Sequence, residues 1–190
     1  MTPEVYRSPG ALAVRAFPVD NDAESLVRSK PMPTIHLMTV IEAPIERVFD
    51  LARSIEAHTA STFSTGERAV AGRTSGLIGP GETVTWEAKH LGVRQRLTVR
   101  VTQFDRPRVF SDEMTQGAFR SLRHTHRFRE EDGRTVMEDE LQFRAPLGPL
   151  GWLAEQLFLT RYMRRFLEIR NRHLKAMAEG EEWVRFLPEV

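Results

Sequence analysis

The chain has 190 residues, 41% hydrophobic and 28% charged, with a formal net charge of +1. That length and balance suit one globular domain with a sizeable core, and the near-zero charge gives no sign of a nucleic-acid partner. The absence of cysteine excludes disulfides, thiolate metal sites, iron–sulfur clusters and thiol nucleophiles.

Pro3, Pro9, Pro18, Pro31 and Pro33 crowd the first 33 residues, together with the polar run Asp20–Glu24. Residues 1–33 therefore read as an extension, partly ordered at best, that docks through Tyr6 or Phe17. No stretch approaches the roughly 20 apolar residues of a membrane span. Ala11–Val14 is too short for a secretory signal, so the expected compartment is the cytoplasm. The domain is expected over 34–180, followed by a tail, 181–190, whose Trp183 and Phe186 are expected packed rather than free.

Thr34–Ile41 is β-branched and apolar and predicts a strand. Ala43-Pro44 breaks it, and Ile45, Val48, Phe49 and Ala52 follow at helical spacing. A second short helix is expected over Ile55–Ser61. From Gly66 the pattern changes to period two. It predicts a weak strand at Arg68–Arg73, then strands around Val84–His90, Val93–Thr102, Val109–Thr115, Arg120–Glu130 and Arg134–Arg144. Pro146-Leu147-Gly148-Pro149 ends the sheet. Leu159, Met163, Phe166, Leu167, Leu174 and Met177 then mark one long amphipathic helix over Leu150–Ala178. Ser75–Gly81, with three glycines and a proline, reads as a mobile loop.

Asp132-Gly133 is a strong two-residue hairpin signal. It pairs Glu131 with Arg134 and so sets Phe128 opposite Met137, His126 opposite Asp139, His124 opposite Leu141 and Leu122 opposite Phe143. In this register the apolar residues of both strands share one face and the arginines take the other. His124, His126 and Asp139 therefore look into an apolar interior. The same parity turns Trp86, His90, Gln95 and Leu97 inward, and with them Phe110 and Asp112. On the long helix Arg170 lies one turn from Phe166 and one from Leu174, within the apolar stripe. Charges so buried must pair, or meet water or a ligand.

The order of elements resembles the helix-grip fold of the SRPBCC superfamily, which includes START-like lipid carriers and polyketide cyclase/dehydrases. Ala43-Pro44-Ile45-Glu46-Arg47-Val48-Phe49-Asp50, Phe110-x-Asp112-Glu113-Met114, Gly117-x-Phe119, His124-x-His126-x-Phe128, Pro146-Leu147-Gly148 and Phe166-x-x-x-Arg170-x-x-x-Leu174 carry the resemblance over about residues 34–178. It implies an α+β fold, with a curved antiparallel sheet of about seven strands wrapped around the C-terminal helix. It also implies a cavity between them for a small hydrophobic molecule of the lipid, isoprenoid or polyketide class. The lining then expected is Trp86, His90, Gln95, Leu97, Phe110 and Asp112 from the middle strands. Leu122, His124, His126, Phe128, Met137, Asp139, Leu141 and Phe143 follow from the hairpin, and Met163, Phe166 and Arg170 from the helix.

Several of these residues carry competing readings. His124 and His126 share a face and can chelate one ion with Asp139 as third ligand. The spacing is permissive rather than specific, however, and a hydrogen-bonded lining suits these residues better. Neither metal nor cofactor is expected. The enzymatic alternative makes His126 and Asp139 an acid–base pair, with Arg170 steadying an enolate-like oxygen; Arg170 otherwise forms a structural ion pair with Asp112 or Asp139. His58 reads as a surface histidine near the pocket entrance. Arg161, Arg165, Arg172 and Lys175 read as a solvated face, with weak peripheral contact to anionic lipid as the alternative. A third functional class, a protein adaptor, would use Trp183 and Phe186 as anchors. Nucleotide and G-x-S-x-G motifs are absent, and the outer sheet face gives no dimer signal.

Overall fold

The computed structural model describes residues 32–90 and 92–187; the expectations for 1–31 lie outside that range. After β1 (Thr34–Ile41) come two short helices, α1 (Ile45–Ala52) and α2 (Ile55–Ser61). Six strands follow: β2 (Arg68–Gly72), β3 (Thr83–His90), β4 (Val93–Asp105), β5 (Val109–Gly117), β6 (Ser121–Glu131) and β7 (Arg134–Arg144). They form one antiparallel sheet in the order β1-β7-β6-β5-β4-β3-β2. This is the helix-grip arrangement expected from the sequence.

Local chemistry explains most boundaries. Pro44 caps α1 and its carbonyl accepts the Val48 N–H at 3.1 Å, the place where a missing proline N–H costs nothing. Ser54 caps α2, its Oγ accepting from Ala57 N at 3.3 Å. Asp132 and Gly133 take φ of 50° and 74°, which gives the paired left-handed turn of a two-residue hairpin. All four expected pairs across it are observed, His126 opposite Asp139 among them.

The core lies between the concave sheet face and the helices. Phe49 is fully buried and presents its ring edge-on to Phe104, Phe110 and Phe128 at 5.3–5.5 Å. It packs with Ile41, Met137, Leu174 and Met177. A second cluster joins Ile35, Leu141 and Phe143 to Met163 and Leu167.

The C-terminal segment departs from the single helix expected over Leu150–Ala178. It divides into α3 (Gly148–Ala154), a π-helical turn (Glu155–Leu159) and α4 (Thr160–Glu179). Glu155 is 3% exposed, and its carboxylate accepts the Ala145 N–H. Thr160 Oγ1 donates back to the Glu155 carbonyl at 2.8 Å. These bonds hold the extra residue of the wider turn, which an apolar period of 3.6 cannot register. Gly151 is required where it stands, because a Cβ there would lie 1.8 Å from the Pro146 carbonyl oxygen.

One smaller expectation is corrected. The Ser75–Gly81 loop is pinned: Gly76 N donates to the Glu56 carboxylate at 3.0 Å, and Ile78 N to Arg53 O at 3.1 Å. As expected of the tail, Trp183 and Phe186 pack on the core, with the Arg47 guanidinium 4.3 Å over the Trp183 ring. Lys175 stays on the solvated face, its side chain 39% exposed, and its ammonium donates there to the Val40 carbonyl and to Glu179, each at 2.6 Å.

Candidate functional site

Two adjoining cavities open between sheet and helix. The inner one, about 110 Å³, runs from Ser54 and His58 on α2 across β3–β6 to Met163, Phe166 and Arg170 on α4. The outer one, about 100 Å³, is bounded by His90, Gln95, Phe119 and Tyr162. Glu67, Trp86, Leu97, Leu122, Met163 and Phe166 belong to the walls of both. The two compartments therefore meet at a waist that is apolar apart from Glu67.

The deep end of the inner cavity holds a polar network on buried ground. Asp139 on β7 is 1% exposed and lies beneath the cavity wall. Asn171 Nδ2 donates to its Oδ2 at 2.6 Å. Its Oδ1 lies 3.0 Å from His124 Nε2 and 2.7 Å from His126 Nδ1. The second of these approaches meets the distance of a hydrogen bond but not its direction, so His126 Nδ1 has contact without alignment. Nε2 of His126 lies 3.8 Å from Asp112 Oδ1. The His126 ring stacks on Phe110, 4.3 Å between centroids.

Burial sets the protonation of this network. It pushes the His126 imidazole down to about 3, with the His124 ring adding to the effect against the opposing pull of Asp139. Burial alone would raise the Asp139 carboxyl, but the charge and hydrogen bonds of the two imidazoles outweigh it and hold the group well below the usual carboxylate range. Asp112 goes the other way: burial raises it, only partly offset by His124 and Arg170. A neutral imidazole thus stands between a carboxyl held low by its partners and one raised by burial.

Arg170 completes the deep end. It is 3% exposed, and its nearest carboxylate oxygen, Asp139 Oδ1, is 3.7 Å away. Its own bonds are long: NH1 donates to Asn171 Oδ1 at 3.4 Å and NH2 to Ala52 O at 3.5 Å. Nε has no partner among the described residues. A buried guanidinium so weakly satisfied is costly unless another acceptor arrives.

Of the residues expected to line the pocket, thirteen are in its walls: Trp86, His90, Gln95, Leu97, Phe110, Asp112, Leu122, His124, His126, Leu141, Met163, Phe166 and Arg170. Phe128, Met137 and Phe143 share their parity but are packed into the core instead. Asp139 supports the histidines from behind. A strand's face says which way a side chain points, not whether another covers it.

Sequence reasoning underrated three residues. His58 is no simple surface histidine: it stacks on Trp86 at 4.1 Å and its Nε2 meets Glu67 Oε2 at 3.1 Å. Burial would raise the Glu67 carboxyl, but His58 beside it holds it below its ordinary value. Nothing in the sequence around Glu67 marks it. Asn171 did leave a signal, since it stands four residues after Leu167 and three before Leu174, on the apolar stripe. The metal grouping also changes. One ligand atom each from Asp112, His124 and His126 lie within 4.8 Å of one another, so Asp112 rather than Asp139 is the third group that could share an ion with the histidines.

The comparisons with known proteins agree with this geometry. Residues 32–179 match the model of the family described as polyketide cyclase/dehydrase and lipid transport, and the chain belongs to that family. Its fold is similar to that of TTHA0849 from Thermus thermophilus. The TM-score there is 0.61 at 19% identity, over 77% of this chain and 99% of that one. A START superfamily protein from Mycobacterium smegmatis gives 0.59 at 12% identity, over 77% and 97%. The major latex-like protein 151 of Panax ginseng gives 0.55 at 14%, over 78% and 99%. The curated proteins contain no match to this sequence.

Proposed function

We propose that the domain binds a small, mostly apolar molecule of the lipid, isoprenoid or polyketide class. The body of the ligand would occupy the waist and outer compartment, and an oxygen-bearing end would reach Arg170. The observation that carries this reading is the Nε of a buried Arg170, unpartnered among the described residues, in the wall of a mostly apolar cavity. Such walls, with a few convergent polar groups, are the usual form of a small-molecule site. Membership of a family that includes lipid transport supports the ligand class.

The test is native mass spectrometry of freshly purified protein, with binding of a fluorescent fatty acid as the probe. Val84 and Ala88 line the inner and outer cavities respectively. Val84→Phe and Ala88→Phe are expected to abolish probe binding while costing about 1–3 kcal/mol of stability through overpacking. Binding that survives both fillings would sink the reading.

A second reading is favoured by His126. Its Nδ1 lies 2.7 Å from Asp139 and its Nε2 lies 3.8 Å from Asp112 in the cavity wall, the proximity of carboxyl groups that an acid–base histidine uses. On this reading the protein is a cyclase/dehydrase-type enzyme, with Arg170 stabilising a developing oxyanion. His126→Gln separates the two: a carrier keeps probe binding and has nothing else to lose, whereas an enzyme keeps binding and loses turnover of an added polyketide-like substrate.

A further inference from the structure

The most exposed apolar surface among the described residues is concentrated in one short segment. Leu147 is 78% exposed, Leu150 71%, Leu157 63%, Phe158 48%, Leu153 46% and Trp152 38%. All six lie on α3, its entry and the π-helical turn. A patch of this kind on a water-facing surface calls for an occupant.

Three observations indicate what that occupant is. Glu155 is the sole acidic residue between 147 and 167, and it is buried against the Ala145 N–H. The first turns of α4 then present Arg161, Arg164 and Arg165 outward. Apolar side chains continuing into exposed arginines, without an exposed carboxylate, complement a surface that is apolar within and anionic at its boundary. The segment is also firmly seated, by Gly151 against the Pro146 carbonyl and by the bonds across the π-helical turn, so the apolar side chains are held outward. Finally, Leu159 and Tyr162, which directly follow the patch, line the outer cavity together with exposed Ala118. The cavity edge and the patch share one stretch of chain.

We propose that residues 147–165 form a membrane-docking platform, with Leu150, Leu153, Leu157 and Phe158 entering the headgroup–acyl boundary of an anionic bilayer and Arg161, Arg164 and Arg165 meeting its phosphates. This rests on the ligand-binding reading for its purpose, because it sets the outer compartment beside the bilayer from which an apolar ligand is taken. It moves the basic contact from the length of the C-terminal helix to its beginning.

The experiment is co-sedimentation of the full chain with vesicles of phosphatidylcholine alone and of phosphatidylcholine with about one-third phosphatidylglycerol. Binding is expected to the anionic vesicles, to weaken as salt is raised, and to fall roughly tenfold or more in Leu150→Ser/Leu157→Ser and in Arg161→Glu/Arg165→Glu. These positions are exposed, so the variants are expected to keep the wild-type unfolding midpoint and fatty-acid probe binding. Loss of vesicle binding with probe binding intact supports the platform. No vesicle association by the wild type, or association unaffected by either pair of substitutions, overturns it while leaving the ligand reading to its own test. A dimer that Leu150→Ser/Leu157→Ser converts to monomer, without vesicle binding, overturns it in favour of a second copy of the chain.

Discussion

His126 shows how far neighbours decide what a residue is. In the sequence it is one of two histidines between arginines. In the fold it is 2% exposed, stacked on Phe110 and backed by Asp139, so burial outweighs the carboxylate and keeps it neutral. Asp139 holds the network together, because His124, His126, Asn171 and Arg170 all turn to it. Asp139→Ala would leave those groups unpaired in a dry interior, and a urea titration is expected to show a loss of about 3–5 kcal/mol. A loss below about 1 kcal/mol would mean that water already serves these groups. Phe49 is the apolar counterpart. Truncating it to alanine removes the ring that three other phenylalanines enclose, for an expected cost of about 3–5 kcal/mol by the same measurement.

Among the elements, the hairpin was fully legible and the C-terminal segment only in outline. Asp132-Gly133 fixes its register by turn chemistry alone, and the alternation on either side agrees with it. Replacing Gly133 by valine puts a β-branched residue at φ 74°, and thermal unfolding is expected to shift down by an amount worth roughly 1–2 kcal/mol. The helix was legible as an apolar stripe. Its π-helical turn was not, because that turn depends on a carboxylate and a backbone N–H ten residues apart meeting in space. Glycine is a poor helix former, yet the approach of the Pro146 carbonyl makes Gly151 necessary.

On the scale of the whole molecule, a few long-range ties clamp the helices to the sheet. Asp50 on α1 binds Arg106 at the β4–β5 turn at 2.7 Å, and Arg53 at 2.8 Å. Burial would raise its carboxyl, but hydrogen bonds from Arg106 and Arg53, with their charges, bring it below the ordinary 3.8. A carboxyl depressed in the folded state contributes stability that is present above its unfolded value and lost as pH falls through the folded one. Wild type and Asp50→Asn are therefore expected to differ in unfolding midpoint at neutral pH and to converge below about pH 4. The gap should be modest, since Arg106 is largely in water. A constant gap across the acid range would assign the effect to packing.

The sequence by itself determined the fold class, the strand order through the meander, the hairpin register and the inward face of nearly every strand. These are local properties, set by turn residues and by periods of two and 3.6. Tertiary structure alone decided which inward residues meet a cavity and which are covered: Leu141 lines it, whereas Met137 and Phe143, on the same face of the same strand, do not. It also brought Asp112 to His126, Glu67 to His58 and Asn171 to Asp139, and left Arg170 Nε without a partner among the described residues. Such arrangements join residues far apart in the chain, and no period along a single strand or helix encodes them.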